Sequence, residues 1–264
     1  MGLICVFVNQ KGGVGKTTSA INIGAYLAEA GKDVLLVDFD AQANLSSGIG
    51  AKPEKPGIYE LLSGEVTIEQ ATRKTAVKNL EVIPADEDLA GATVELIDQK
   101  DRNYFLKKAL APIKDKYDYI LIDCPPSLGQ LTMNGLAAAD LMLIPMQCEY
   151  FAMEGLTKLL ETTGKIQKEL NPLLKIGGIF FTMYDPRTRL ANDVIKQVSA
   201  HYKDKVFNTI IPRNIRLSEA PSFEMPISLY DPQCPGARAY NMLAQELLRK
   251  DLPNKKPGGE KYDA

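Results

Sequence analysis

The chain has 264 residues, 45% of them hydrophobic and 24% charged, with a net charge of −2. That is ordinary globular composition with length enough for one large core, and it excludes a fibrous, disordered or generally basic nucleic-acid-binding chain. No apolar run reaches the length that crosses a bilayer, the start of the chain does not read as a signal peptide, and the four cysteines form no C-x-x-C pair, so core thiols in a reducing cytoplasm are expected.

Residues 3–8 form a short continuous apolar run, as in a strand buried on both faces. Lys11-Gly12-Gly13-Val14-Gly15-Lys16-Thr17-Thr18 follows, and a helical pattern occupies 18–30. Further strands are expected at 34–37, 80–83, 119–122, 141–144, 176–181 and 206–211, and further helices at 104–114, 153–170, 192–202 and 236–249. This alternation predicts an α/β fold: a single doubly wound, mostly parallel sheet flanked by helices, spanning residues 1–250. From Asp251 the chain is rich in proline, glycine and charge and reads as a disordered tail. In such sheets ligands lie outside the carboxyl ends of the strands, which places any chemistry just after the apolar runs.

Strand, glycine loop and helix start make a phosphate site, because the loop's N–H groups and the positive helix end can surround an anion. Glycine is needed where a Cβ would hold the backbone away. The candidate phosphate-binding residues are Gly12, Gly13, Val14, Gly15, Lys16, Thr17 and Thr18. Lys16 supplies a point charge for the β- and γ-phosphates, and the Thr17 hydroxyl can ligate Mg²⁺. Seven fixed residue types coincide by chance about once in 10⁸–10⁹ positions, which sets aside an accidental turn.

Asp38 and Asp40 follow the second apolar run and project to one side of an extended chain. Beside a phosphate loop they can hold Mg²⁺ through water or orient an attacking water; the same pair also suits a turn or a cap. Asp123 ends the run 119–122, where a carboxylate reaches Mg²⁺ through water. No N-K-x-D guanine-reading motif is present, so adenine is the expected base. Residues 156–216 carry eleven Lys/Arg against five Asp/Glu, a basic stretch on an acidic chain. It reads either as an electrostatic footprint or as solvated helix faces. His201 is the single histidine, without ligand partners in the sequence.

The loop departs from the pattern G-x-x-x-x-G-K-[ST]: Gln10 stands where the first glycine belongs, and Lys11 stands at the entry. This form resembles the deviant Walker A ATPases, which include the ParA or Soj partition proteins and MinD. Asp123-Cys124-Pro125-Pro126-Ser127, the stretch from Ile210 through Arg213-Asn214 to Pro221, and Leu229-Tyr230-Asp231-Pro232 narrow the resemblance to the chromosomal ParA/Soj branch. It implies ATP and Mg²⁺ as cofactors, slow hydrolysis, and an ATP-bound homodimer in which Lys11 reaches the other subunit's nucleotide. It also implies that Asp40 positions the lytic water, with Ala41 standing where relatives have proline. Asp38, Thr17 and Asp123 are implied at the metal. Thr182, Met183, Pro212, Arg213 and Asn214 are implied around the base, Thr182 standing where many relatives have asparagine.

The resemblance further implies non-specific DNA binding through Arg187 and Arg216, release by a ParB-like partner, and a cytoplasmic, nucleoid-associated protein with no membrane attachment. The alternative for each arginine is a surface ion pair, Arg187 with Asp185 or Arg216 with Glu219. Gln233-Cys234-Pro235 replaces residues that are often basic in relatives, which implies weaker DNA binding. A MinD-like membrane protein would need a C-terminal amphipathic helix, which Pro253, Pro257 and Gly258 break. A nitrogenase iron-protein relative would need cluster cysteines in a context that Cys124 and Cys148 lack. An orphan partition-type ATPase that positions a protein cargo would share every motif.

Overall fold

Alternate residues of the central strands enter two different cores, which is why the apolar runs show no polar alternation. The computed structural model of the chain describes residues 2–51, 55–95 and 98–251. Its strands are β1 (Leu3–Phe7), β2 (Val34–Asp38), β3 (Arg73–Lys74), β4 (Leu80–Ile83), β5 (Tyr119–Asp123), β6 (Leu141–Gln147) and β7 (Lys175–Thr182). They form one sheet in the order β3-β4-β2-β5-β1-β6-β7, parallel except for β3. Ile4, Val6, Leu35, Val37, Ile120 and Ile122 fill one core, while Cys5, Phe7, Val34, Leu36, Tyr119 and Leu121 fill the other.

The helices are α1 (Lys16–Glu29), α2 (Asn44–Gly48), α3 (Ile58–Ser63), α4 (Ile68–Ala71), α5 (Leu89–Glu95), α6 (Phe105–Leu110), α7 (Gln130–Ala138), α8 (Ala152–Glu169), α9 (Arg189–His201), α10 (Ile215–Glu219), α11 (Ile227–Tyr230) and α12 (Pro235–Asp251). Helices α6 to α9 cover the first core, and α1 and α12 the second. α1 lies close on the sheet: a Cβ at Gly24 would stand 2.8 Å from Leu36 Cδ2. The buried Tyr240 hydroxyl of α12 meets Ser19 Oγ of α1 at 3.0 Å, so the last helix locks the first. The expected disordered tail lies outside the described residues, except that Asp251 is the last residue of α12.

The strand expected at 206–211 is reduced to isolated bridges, Val206 with Ile179 and, just beyond it, Pro212 with Tyr184. The carboxylate of Glu246 accepts from the N–H groups of Asn208 and Thr209 at 2.8 and 3.1 Å, so the ladder beside β7 is interrupted there. β3, α7 and the short helices α2 to α4 lie outside the apolar runs and were not expected.

Gly178 of β7 leaves room for the Phe207 ring, whose Cε2 lies 2.1 Å from where a Cβ would stand. Phe207 meets Phe180 edge-on, with centroids 6.1 Å apart. Gly178→Ala is therefore expected to destabilise the fold by about 1–3 kcal/mol. Thermal unfolding checks this as a fall of about 2–4 °C in Tm per kcal/mol.

Candidate nucleotide-binding site

β1 lies between β5 and β6, so its following loop emerges mid-sheet, and the parallel register brings Asp38 and Asp123 side by side as strand neighbours. Gly13 and Gly15 hold φ of 73° and 85°, in the left-handed region. The nearest atom to a Cβ at Gly15 would be 3.8 Å away, so conformation rather than space requires glycine there. Gly15 caps α1, and its carbonyl accepts from Ser19 N at 2.9 Å. A cleft of about 650 Å³ opens over the loop, walled by Asp40, Pro126, Met183, Pro221 and Met225.

Lys16 is buried with its ammonium 3.3 Å from the Asn9 carbonyl and 3.4 Å from that of Lys11. Burial lowers its pKa, and the charges of Asp123 and Asp40 oppose the shift. Lys11 points elsewhere. Its half-exposed ammonium is paired with Glu149 on the loop after β6.

Asp123 is 1% exposed, and among the described residues its Oδ1 has no hydrogen-bond partner. Burial, reinforced by the charge of Asp38, pushes its carboxyl up to about 8, while the Thr17 hydroxyl and Lys16 pull the other way. A buried, unpartnered carboxylate oxygen beside a threonine hydroxyl is a hard oxygen set, and it fits Mg²⁺. Asp38 is placed differently. Its carboxyl is raised to about 6 by burial, and it accepts from Ser46 N at 2.8 Å and Ser46 Oγ at 2.7 Å. Ser46 Oγ in turn accepts from Ala85 N at 3.0 Å. Asp38 thus ties β2 to α2 and to the end of β4, and its expected place at the metal finds it turned to Ser46. Asp40 reaches the cleft and accepts from Gln42 N at 3.1 Å.

Of the residues expected around the base, Met183 lines the cleft. The buried Thr182 hydroxyl donates to the Val14 carbonyl at 2.8 Å. Pro212 bridges to Tyr184, Arg213 N donates to the Tyr184 carbonyl at 2.9 Å, and Asn214 caps α10 by accepting from Arg216 N at 3.0 Å. The cleft wall is instead supplied by Pro221 and Met225, with Asn44 and Ser47 of α2. Sequence reasoning assigned none of these four to the site, although Pro221 closes the motif that begins at Ile210.

Arg187 and Arg216 both hold carboxylates of their own. Arg187, 85% exposed, forks onto Asp185 with Nε–Oδ1 of 2.9 Å and Nη2–Oδ2 of 2.6 Å, and Asp185 is drawn down to about 2 by those bonds. Arg216 donates to Glu219 at 2.9 Å and lies 3.4 Å from Asp231. The ion pairs expected as alternatives are therefore present.

A family model described as an AAA domain matches residues 2–176. The chain is 63% identical over 251 residues to the chromosome-partitioning ATPase Soj of Treponema pallidum (strain Nichols), covering 95% of this chain and 99% of that protein. The chain belongs to the ParA/Soj family of chromosome-partitioning ATPases. The sporulation initiation inhibitor protein Soj of Bacillus subtilis (strain 168) is 51% identical, covering 94% of this chain and 98% of the relative. Among solved structures, the cobyrinic acid a,c-diamide synthase of Mycobacterium smegmatis with bound ATP analog and magnesium superposes with a TM-score of 0.84 at 39% identity, covering 94% of this chain and 95% of the other. The MinD cell division ATPase of Pyrococcus furiosus gives 0.78 at 28%, covering 94% and 99%. No helix among the described residues is long and apolar enough to cross a membrane.

Two expectations follow for the metal-free chain. Asp123 binds its proton more tightly folded than unfolded, so the folded state holds the extra proton and stability falls as pH rises from about 4 toward 8. Asp123→Asn is expected to flatten that slope and to raise stability at pH 8 by on the order of a few kcal/mol, read by urea unfolding across pH. Ala43, at φ 51°, closes the turn after Asp40 in a conformation that strains an L residue. Ala43→Gly is expected to keep or raise the unfolding free energy, by up to about 1 kcal/mol, because relief of strain offsets glycine's entropy.

Proposed function

We propose that this ParA/Soj protein takes up Mg²⁺–ATP, dimerises on it, binds DNA without sequence preference through Arg187 and Arg216, and is released when a ParB-like partner stimulates hydrolysis. On the nucleoid in the cytoplasm, such a cycle segregates chromosome or plasmid DNA. The observation that carries the reading is the buried, unpartnered Asp123 oxygen beneath a ready-made phosphate cradle. The names of the Treponema and Bacillus relatives and the ligands of the mycobacterial structure support it.

Thr17, and Asp123 through water, would hold magnesium, which supplies charge neutralisation to the phosphate oxygens. The loop N–H groups hold the phosphates, and Lys16 swings from the Asn9 and Lys11 carbonyls onto the β- and γ-phosphates. Asp40, at the cleft, orients water. Lys11 has only to leave Glu149 to reach a second subunit, and an exposed pair of that kind is worth under about 1 kcal/mol. ATP favours the dimer, and the dimer aligns two basic faces, which is a population shift rather than a new fold. The fork that Arg187 offers Asp185 suits a phosphate equally well.

Lys16→Ala is expected to lower ATP turnover by at least about 100-fold, measured as phosphate release. DNA co-sedimentation should succeed with ATP, fail with ADP or no nucleotide, and fall steeply with salt. The Arg187→Ala/Arg216→Ala double variant should lose it while still hydrolysing ATP. Binding that ignores the nucleotide, or that the double variant retains, refutes the DNA part of the proposal.

A further inference from the structure

Gln147 and Thr182 are the last residues of β6 and β7, and they are direct partners in the register of those strands. Gln147 Nε2 donates to the Gly13 carbonyl at 2.8 Å. Thr182 Oγ1 donates to the Val14 carbonyl at 2.8 Å, with the Met146 carbonyl at 3.3 Å on its other side. Two side chains standing next to each other at the carboxyl ends of β6 and β7 therefore take two consecutive carbonyls of the phosphate loop. Among the described residues no backbone N–H takes either carbonyl. The second hydrogen of the Gln147 amide is turned to Met183 Sδ at 2.9 Å, which fixes the amide's orientation.

A trans peptide is planar, so its C=O and the following N–H point in opposite directions. Holding the Gly13 and Val14 carbonyls toward the ends of β6 and β7 turns the N–H groups of Val14 and Gly15 the other way. That way lies the cleft lined by Gly13, Gly15 and Lys16, whereas Gln147 and Val14 line a separate apolar hollow of about 200 Å³. The left-handed glycines on either side, Gly13 and Gly15, make these peptide groups free to rotate unless something holds them.

We propose that Gln147 and Thr182 are positioning residues that preset two loop N–H groups to receive the phosphates. The proposal rests on the nucleotide-binding reading and deepens it. It gives Thr182 a task apart from the base, and it gives Gln147 a task that no motif in the sequence marks.

The test uses the full chain. Thr182→Val keeps the shape and removes the hydroxyl; Thr182→Ser keeps the hydroxyl. Gln147→Glu keeps the length but replaces the donor with a carboxylate that repels the Gly13 carbonyl. Calorimetric titration with Mg²⁺–ATP and Mg²⁺–ADP is expected to show about tenfold weaker binding of both for Thr182→Val and Gln147→Glu, and binding within about twofold of the parent for Thr182→Ser. In steady-state turnover KM should rise with kcat nearly kept, the mark of a grip shared by ground and transition states. Each variant's nucleotide-induced rise in Tm, taken against its own nucleotide-free Tm, separates a lost grip from a weakened fold. Parental affinity in both Thr182→Val and Gln147→Glu, or a Thr182→Ser as weak as Thr182→Val, overturns the proposal alone. A parent chain that takes up no Mg²⁺–ATP overturns the nucleotide reading and this proposal with it.

Discussion

The Asp123 carboxylate is shut away from solvent, and among the described residues one of its oxygens has no hydrogen-bond partner. An ionised carboxylate in that position needs a cation or a proton, because burial penalises the charge. The parallel register sets Asp38 beside it, and Thr17 and Lys16 ease the penalty. Under the proposed function, a divalent cation carrying a polyphosphate would supply the charge that this carboxylate lacks.

The sheet order is what gathers the parts. β1 brings the glycine loop, β2 brings Asp38 and Asp40, β5 brings Asp123, and β6 with β7 brings the donors that hold the loop from behind. Asp38 spends its carboxylate on Ser46, and Ser46 spends its oxygen on Ala85, so the segment carrying Asp40 is tethered at both ends to strands. Between those tethers stand Asp40, at the cleft, and Ala43, in an unfavourable backbone conformation.

Most of the sheet could be read in the sequence because burial on both faces leaves continuous apolar runs, and the glycine loop could be read because its chemistry permits few substitutes. Asp123 was legible by its place at the end of such a run. Residues 206–211 misled for the same reason: their apolarity is real, but a distant carboxylate, Glu246, captures the N–H groups a strand would use. Ser46 lies in a polar stretch that resembles any loop, and its bond to Asp38 spans eight residues of unpredicted turn and helix. Gln147 carries no local signal, since its partner is 134 residues away. The arginine ion pairs were visible as spacings of two and three residues, yet spacing alone could not say whether carboxylate or phosphate is the resting partner.

That resting partner has a thermodynamic consequence. Arg187 and Arg216 each carry a built-in counterion. Under the proposed cycle, DNA would exchange one anion for another on each guanidinium rather than neutralise a bare charge. Dissolved cations would still leave the duplex, but the protein side would contribute an internal swap that bulk salt does not drive. Under that cycle, such a surface would stay quiet toward polyanions met one subunit at a time and would acquire its appetite only when several swaps occur together.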